Sequence, residues 1–202
     1  ILFLFVGTMK GFSQKINNQQ LDASGIEKLV INSNLVFLVS IVAEKTDKIS
    51  IETKIAGEHF ENVIVTTSEK NKTLTIGTSY TPFFLPENDK LAAHKIISIE
   101  MKISIPELLE VSVNSTLATV NAEGAYDFFY VALENGNCIV TNFTGNASIR
   151  TKQGNIIVYA TKEVSGSAIS KNGMVTNRVP SEGRYHIIAE SLEGDISLLQ
   201  TK

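Results

Sequence analysis

Cysteine is almost absent from this 202-residue chain, and its single copy, Cys138, excludes an intrachain disulfide and any metal cluster built from several thiolates. Stability therefore has to come from an apolar core and from backbone ladders, and 43% apolar residues suffice for a core without covalent staples. Charge is also sparse. Eighteen basic against 21 acidic residues give a formal net charge of -3, with no basic patch to neutralise phosphates, which argues against nucleic acid as a partner. Histidine is limited to His59, His94 and His186, far apart and without a second histidine at ligand spacing, so each reads as structural or solvent-facing. The chain lacks a glycine-rich phosphate loop and a Gly-x-Ser-x-Gly elbow, and Ser165-Gly166-Ser167 does not have the flanking residues of one. An EF-hand loop is missing too, and a lone Asp89 or Asp195 cannot fill the six or more oxygen positions that calcium takes. No catalytic residue, cofactor or metal site is expected, and the chain reads as a non-enzyme.

Long hydrophobic runs are missing except at the start. The uncharged stretch Ile1–Met9 is too short to span a bilayer as a helix, which takes about 20 residues. Followed by Gly11-Phe12-Ser13-Gln14, it resembles the end of a secretory signal peptide, although Lys10 is out of place in one; the alternatives are a buried first strand or an expression remnant. Residues 1–14 are therefore expected to be a leader remnant and residues 15–202 a single all-β domain. Within it, residues 15–106 form irregular N-terminal strands and residues 107–202 form repeated rungs. An exported location follows: periplasm, outer-membrane surface or extracellular space.

What is present has period two. Ile97, Ile99, Met101, Ile103 and Ile105 alternate with Ser98, Glu100, Lys102 and Ser104 up to Pro106, the pattern of a strand with one buried face. Val63 and Val65, then Leu74 and Ile76, flank Glu69-Lys70-Asn71-Lys72 and read as a hairpin. Further strands are expected at Lys28 to Asn32, Phe37 to Ala43 and Ile49 to Lys54.

The second half repeats. Glycines at 136, 154, 173 and 194, each preceded by Asn, Gln or Glu, recur at spacings of 18, 19 and 21 residues, and Gly124, Gly145 and Gly166 fall between them. Two residues past the first series stand Cys138, Ile156, Val175 and Ile196, and two further on stand Val140, Val158, Asn177 and Leu198. The pattern predicts a β-solenoid, a β-helix-like coil with about 18–21 residues per turn, whose aliphatic columns stack in the interior. In that column Cys138 is a small buried hydrophobe rather than a nucleophile. The rung from Ser165 to Pro180 is the most polar and should be the least regular. A β-sandwich with evenly spaced hairpins is the alternative.

The strand ending Ile105-Pro106-Glu107-Leu108, the segment Val111-Ser112-Val113-Asn114-Ser115 and the glycine-polar-aliphatic rungs look like the auto-transporter adhesin head domains of Bacteroidetes and relatives, over most of Leu21 to Leu199. The resemblance implies a single-stranded coiled β body, export, and a role at the cell surface or in the periplasm. It carries over no catalytic residues.

Two features bear on binding. Gly77 to Lys90 is longer than a strand connection requires and holds Pro82, Pro86 and the rings of Tyr80, Phe83 and Phe84. Those three residues are the candidate binding site for a cell-surface protein or glycan, unless they fold back to plug the end of the coil. Tyr126-Asp127-Phe128-Phe129-Tyr130 is a second aromatic cluster, some of whose rings must point outward because neighbours on a strand alternate faces. The alternative function is a carbohydrate-active enzyme on the same scaffold, using carboxylates such as Glu123, Asp127 and Glu134. A third is an assembly subunit that pairs through exposed ladder edges at the coil ends.

Overall fold

The structure is a computed structural model that describes residues 14–57, 60–84 and 97–201. Residues 1–13 of the proposed leader, His59, His94 and the part of the aromatic loop from 85 to 90 lie outside the described residues, whereas Gln14 opens the first strand.

The chain is all-β. Its strands are β1 (Gln14–Asp22), β2 (Lys28–Asn32), β3 (Leu38–Glu44), β4 (Lys48–Ala56), β5 (Val63–Lys70), β6 (Thr73–Tyr80), β7 (Ser98–Pro106), β8 (Glu110–Ser115), β9 (Thr119–Asn135), β10 (Cys138–Gln153), β11 (Ile156–Ala160), β12 (Val164–Asn172), β13 (Val175–Asn177), β14 (Tyr185–Glu193) and β15 (Ile196–Gln200). One 3-10 turn, Phe60–Asn62, precedes β5. Strands fall where alternation placed them, and the expected hairpin is β5–β6, closed by Asn71 (φ 51°) and Lys72 (φ 61°). Two consecutive residues at positive φ make the turn whose twist suits a two-residue hairpin.

The strands form one curled fifteen-stranded sheet. Its pairing divides into two ladders. The first runs β1-β4-β7-β3-β9-β10-β11-β15-β13, using the first halves of β9 and β10. The second runs β5-β6-β2-β8-β9-β10-β14-β12, using their second halves. Apart from the antiparallel strands β1, β4 and β5, neighbours are parallel. β9 and β10 pass from one ladder to the other through Gly124 (φ 108°) and Gly145 (φ 139°), where a side chain would run into the carbonyl of Ala43 or Tyr126.

Alternation of side chains decides the core. Leu29, Ile31, Val111, Val113, Phe129 and Val131 from the second ladder and Val39, Ile41, Val120, Cys138, Val140, Ile156 and Val158 from the first are all buried. They line up because parallel register places Val39, Val120, Cys138, Ile156 and Ile196 on successive strands. At the corner, Tyr126, Phe129 and Phe143 pack with ring centroids 4.9 to 6.3 Å apart. The buried Tyr126 hydroxyl is satisfied by the carbonyls of Glu123 and Ile41, and burial pushes its pKa up.

The repeat is in register but not in chain order. The glycine turns stack as Gly136, Gly154, Gly194 and then Gly173, because β15 pairs β11 on one side and β13 on the other. The β12–β13 pair, predicted to be the least regular, is the outermost. Its inward positions are Gly166, Ala168, Ser170, Val175 and Asn177 instead of large aliphatics, and Val175 is 42% exposed. Exposed Asn177 links the two ladders, its Nδ2 donating to the Gly166 carbonyl at 2.8 Å, and Val179 packs against the core. That bond joins the two ladders at this end of the sheet.

A side-chain ladder follows the same spatial order. Asn137 Oδ1 accepts from the Asn155 backbone N–H, Asn155 Oδ1 from Asp195 and Asp195 Oδ1 from Met174, each at 2.8 Å. Each residue after the turn glycine thereby caps a turn amide of the next rung, and the series ends at Met174, beyond which no rung stands.

Candidate binding site

Tyr80 closes β6, opposite Val63 of β5. Beyond it Thr81 is fixed to Asn62 twice, backbone N–H to carbonyl at 2.8 Å and Oγ1 to Oδ1 at 3.1 Å, and the Phe84 N–H returns to the Thr81 carbonyl at 3.2 Å. Residues 81–84 therefore form a β-turn with Pro82 at its second position and Phe83, φ 70°, at its third. That is type II geometry, which normally wants glycine at the third position. A phenylalanine there is sterically disfavoured, at a cost of about 1 kcal/mol or more.

The turn separates the three aromatic rings expected to act together. Tyr80 packs on the core, and Phe84 is half-buried against Tyr80, with centroids 5.3 Å apart. Phe83 is 105% exposed, held away from the body. Neither sequence-level alternative describes this completely, since two rings anchor the turn and one projects. The second aromatic cluster divides between the faces, with Tyr126 and Phe129 buried and Phe128 38% exposed; two buried rings three residues apart break strict alternation, at the register shift where β9 turns its corner.

The acids weighed for hydrolysis are not brought together. Glu123 belongs to the first ladder, where it accepts from Asn142 Nδ2 at 2.8 Å, whereas Glu134 belongs to the second and pairs with Lys152 at 2.6 Å. Between them the chain passes through the Gly124 corner and Asp127. A groove of about 530 Å³ crosses the outer face of the second ladder, with Ala132, Leu192 and Ile169 among its lining. Its two carboxylates, Glu134 and Glu190, are each engaged by a base, the second by Arg150 at 2.8 Å. A smaller polar hollow continues it past Asn114 and Asn32, whose amides are hydrogen-bonded at 3.1 Å.

One cluster escapes sequence reading entirely. Parallel register sets Ser165 opposite His186, and the Ser165 hydroxyl donates to the Tyr185 carbonyl while lying 3.0 Å from His186 Nδ1; Ser167 Oγ is 3.3 Å from Nε2. With the Ser165 proton engaged, Nδ1–H donates to Ser165 and Nε2 accepts from Ser167. Nucleophilic catalysis would also need donors aimed at a developing oxyanion. Here β14 is paired on both sides, to β10 and to β12, so its amides are taken up by the ladders. Cys138 is inert as well, because burial pushes its thiol up to about 12.

Fold and surfaces define an all-β chain with exposed aromatic and aliphatic side chains. Among the described residues no group of three or more metal-ligating side chains assembles, and no helix is long and apolar enough to cross a membrane. No family model and no curated protein matches the sequence. Solved structures do. A "putative cell adhesion protein" from Clostridium sporogenes superposes with a TM-score of 0.67 at 17% identity, over 94% of this chain and 100% of its own. A "putative adhesin" from Bacteroides fragilis reaches a TM-score of 0.40 at 11% identity, over 92% of this chain and 97% of its own. Another from Parabacteroides distasonis reaches 0.30 at 12%, over 91% and 97%. The first is a shared fold, whereas the other two overlap too little to add to it.

Proposed function

We propose that this chain is an exported, non-enzymatic binding module of the adhesin kind, a β-solenoid that engages a cell-surface protein or glycan through the turn carrying Phe83. The supporting observation is Phe83 itself. A phenylalanine in a disfavoured backbone conformation, fully exposed, and fixed from below by Tyr80, Phe84 and the Thr81–Asn62 bonds contributes nothing visible to folding. Strain of this kind persists where the surroundings over-determine it and is concentrated at ligand clamps. An exposed ring on a rigid turn offers apolar area with little entropy left to lose on binding, which suits the face of a sugar or a pocket on a protein. The Clostridium sporogenes likeness supports the same reading, as do the parallel two-ladder stacking and the apolar sequence of Ile1–Met9. Resemblance to auto-transporter adhesin head domains adds the expectation of a surface location.

The test separates Phe83 from Phe84. In a urea titration Phe83→Ser should leave the unfolding free energy within about 0.5 kcal/mol of the parent, as surface changes do, while Phe84→Ser should cost more because its ring packs on Tyr80. Attachment of the purified chain to glycan arrays and to whole cells should fall at least about tenfold in Phe83→Ser, the loss of about 1.4 kcal/mol expected of an aromatic anchor. Unchanged attachment would remove this site.

A further inference from the structure

We propose that the outer edge of β12 is a self-association surface, on which two copies of this chain pair antiparallel about a two-fold axis at Ile169. Among the described residues β12 pairs with one strand only, β14; apart from Asn177 Nδ2, which reaches its Gly166 carbonyl, no strand lies along its opposite edge. Open edges in stable proteins are usually blunted by proline, charge or a bulge. This one has none of them along its middle: no proline, no register shift against β14 before Ser170, and one charge, Lys171, near its end. The side chains around it are instead aliphatic. Ile169 is 69% exposed, Met174 74% and Val175 42% on the outermost rung, and Leu192 beside them is 51% exposed. Open backbone donors and acceptors next to apolar side chains are best satisfied by another strand.

Three observations favour a second copy as that strand. The register centred on Ile169 sets Ile169 against its own equivalent and Lys171 against Ser167 of the other copy, so no like charges face each other. Contact of an edge with itself is closed and stops at two. Head-to-tail stacking is disfavoured on both sides. The capping ladder ends at Met174, and the opposite edge, β5, presents exposed Thr66, Ser68, Glu69 and Lys70 to an aliphatic partner. One strand pair with its flanking rung buries less than a standard interface of about 1,600 Å², so the dimer should be weak and concentration-dependent.

Sedimentation velocity of the whole chain at concentrations from about 1 to 500 µM, spanning weak affinities, should show monomer passing to dimer. Ile169→Lys sets two charges directly opposite each other and should stay monomeric with an unchanged melting curve. Ile169→Cys should oxidise to a covalent dimer at least about tenfold faster than Leu117→Cys, an exposed control on a distant turn, because a paired edge raises the effective thiol concentration. A monomer at every concentration would overturn the proposal. So would a dimer that survives Ile169→Lys, or assemblies that grow beyond two copies. If the edge instead takes a foreign extended peptide, wild-type chain stays monomeric and the proposal fails.

Discussion

Replacing Gly154 with alanine tests the turn stack most directly, because its cost divides into two parts that another glycine separates. Gly154 has φ 152°, a conformation L residues rarely adopt, and an added Cβ would lie 2.0 Å from the carbonyl oxygen of Gly136 and 2.6 Å from its carbon. Ordinary carbon-to-oxygen contacts across a sheet are about 3.3 Å or more, so the rungs would have to part by about 1 Å. Two backbone bonds hold them there, Gly136 N–H to Gln153 and Cys138 N–H to Asn155, each at 2.9 Å. Loss of both is worth about 2 kcal/mol and the backbone strain another 1 to 3, giving about 3 to 5 kcal/mol. Gly25 is the control: φ is 87°, yet nothing lies within 4 Å of its would-be Cβ, so Gly25→Ala should cost only the conformational part, about 1 kcal/mol. With a urea slope of about 2 kcal/mol/M, the two midpoints should differ by about 1 to 2 M. Equal midpoints would mean that the rungs do not approach as closely as the stacked glycines imply.

The aliphatic column gives a second contrast. Ile156→Ala, between Cys138 and Ile196, should cost about 2 to 4 kcal/mol through the cavity it leaves, whereas Val175→Ala on the outermost rung should cost less than about 1; similar losses in a urea titration would refute the spatial order of the rungs. Cys138 gives a third. Its folded value is about 12 against an ordinary 9.0, so the protonated thiol's contribution is intact below pH 9 and is lost as pH rises from 9 toward 12, by about 1.4 kcal/mol per unit. Cys138→Val should cost within about 1.5 kcal/mol at pH 7. It should also flatten the alkaline limb of stability against pH; an unchanged limb, or rapid labelling of the native thiol, would refute the burial argument.

Local alternation made the strands legible, since Ile97 through Ile105 or Val63 through Ile76 need only their own neighbours to declare a buried face. The glycine series was legible for a similar reason: a rung that approaches another this closely can have no β-carbon, and that demand recurs in the sequence. What stayed hidden depends on which strands become neighbours. Ser165 and His186 meet only because β12 lies beside β14. Phe83 is a different case. Its three-ring cluster announced a packed or presented loop, but the division between anchor and projecting ring follows from the backbone turn at Pro82-Phe83, which composition does not encode.

The inverted order of the last two rungs was written in the residues after the turn glycines, had they been read as donors and acceptors. Asn137, Asn155 and Asp195 each carry a side-chain oxygen that caps a turn amide of the following rung, whereas Met174 cannot accept such a bond. A rung without that oxygen belongs where nothing follows, and that places Gly173 beyond Gly194 although it precedes it in the chain. The physical consequence is that β15, the last strand described, is not the outermost strand of its ladder. β15 lies between β11 and β13, bonded on both sides, while the outermost strands, β12 and β13, are tethered at both of their ends by continuing chain. Fraying concentrates at sheet edges, and continuing chain at both ends of an edge strand restrains it. An edge held in this way can meet a partner strand without first peeling from the sheet.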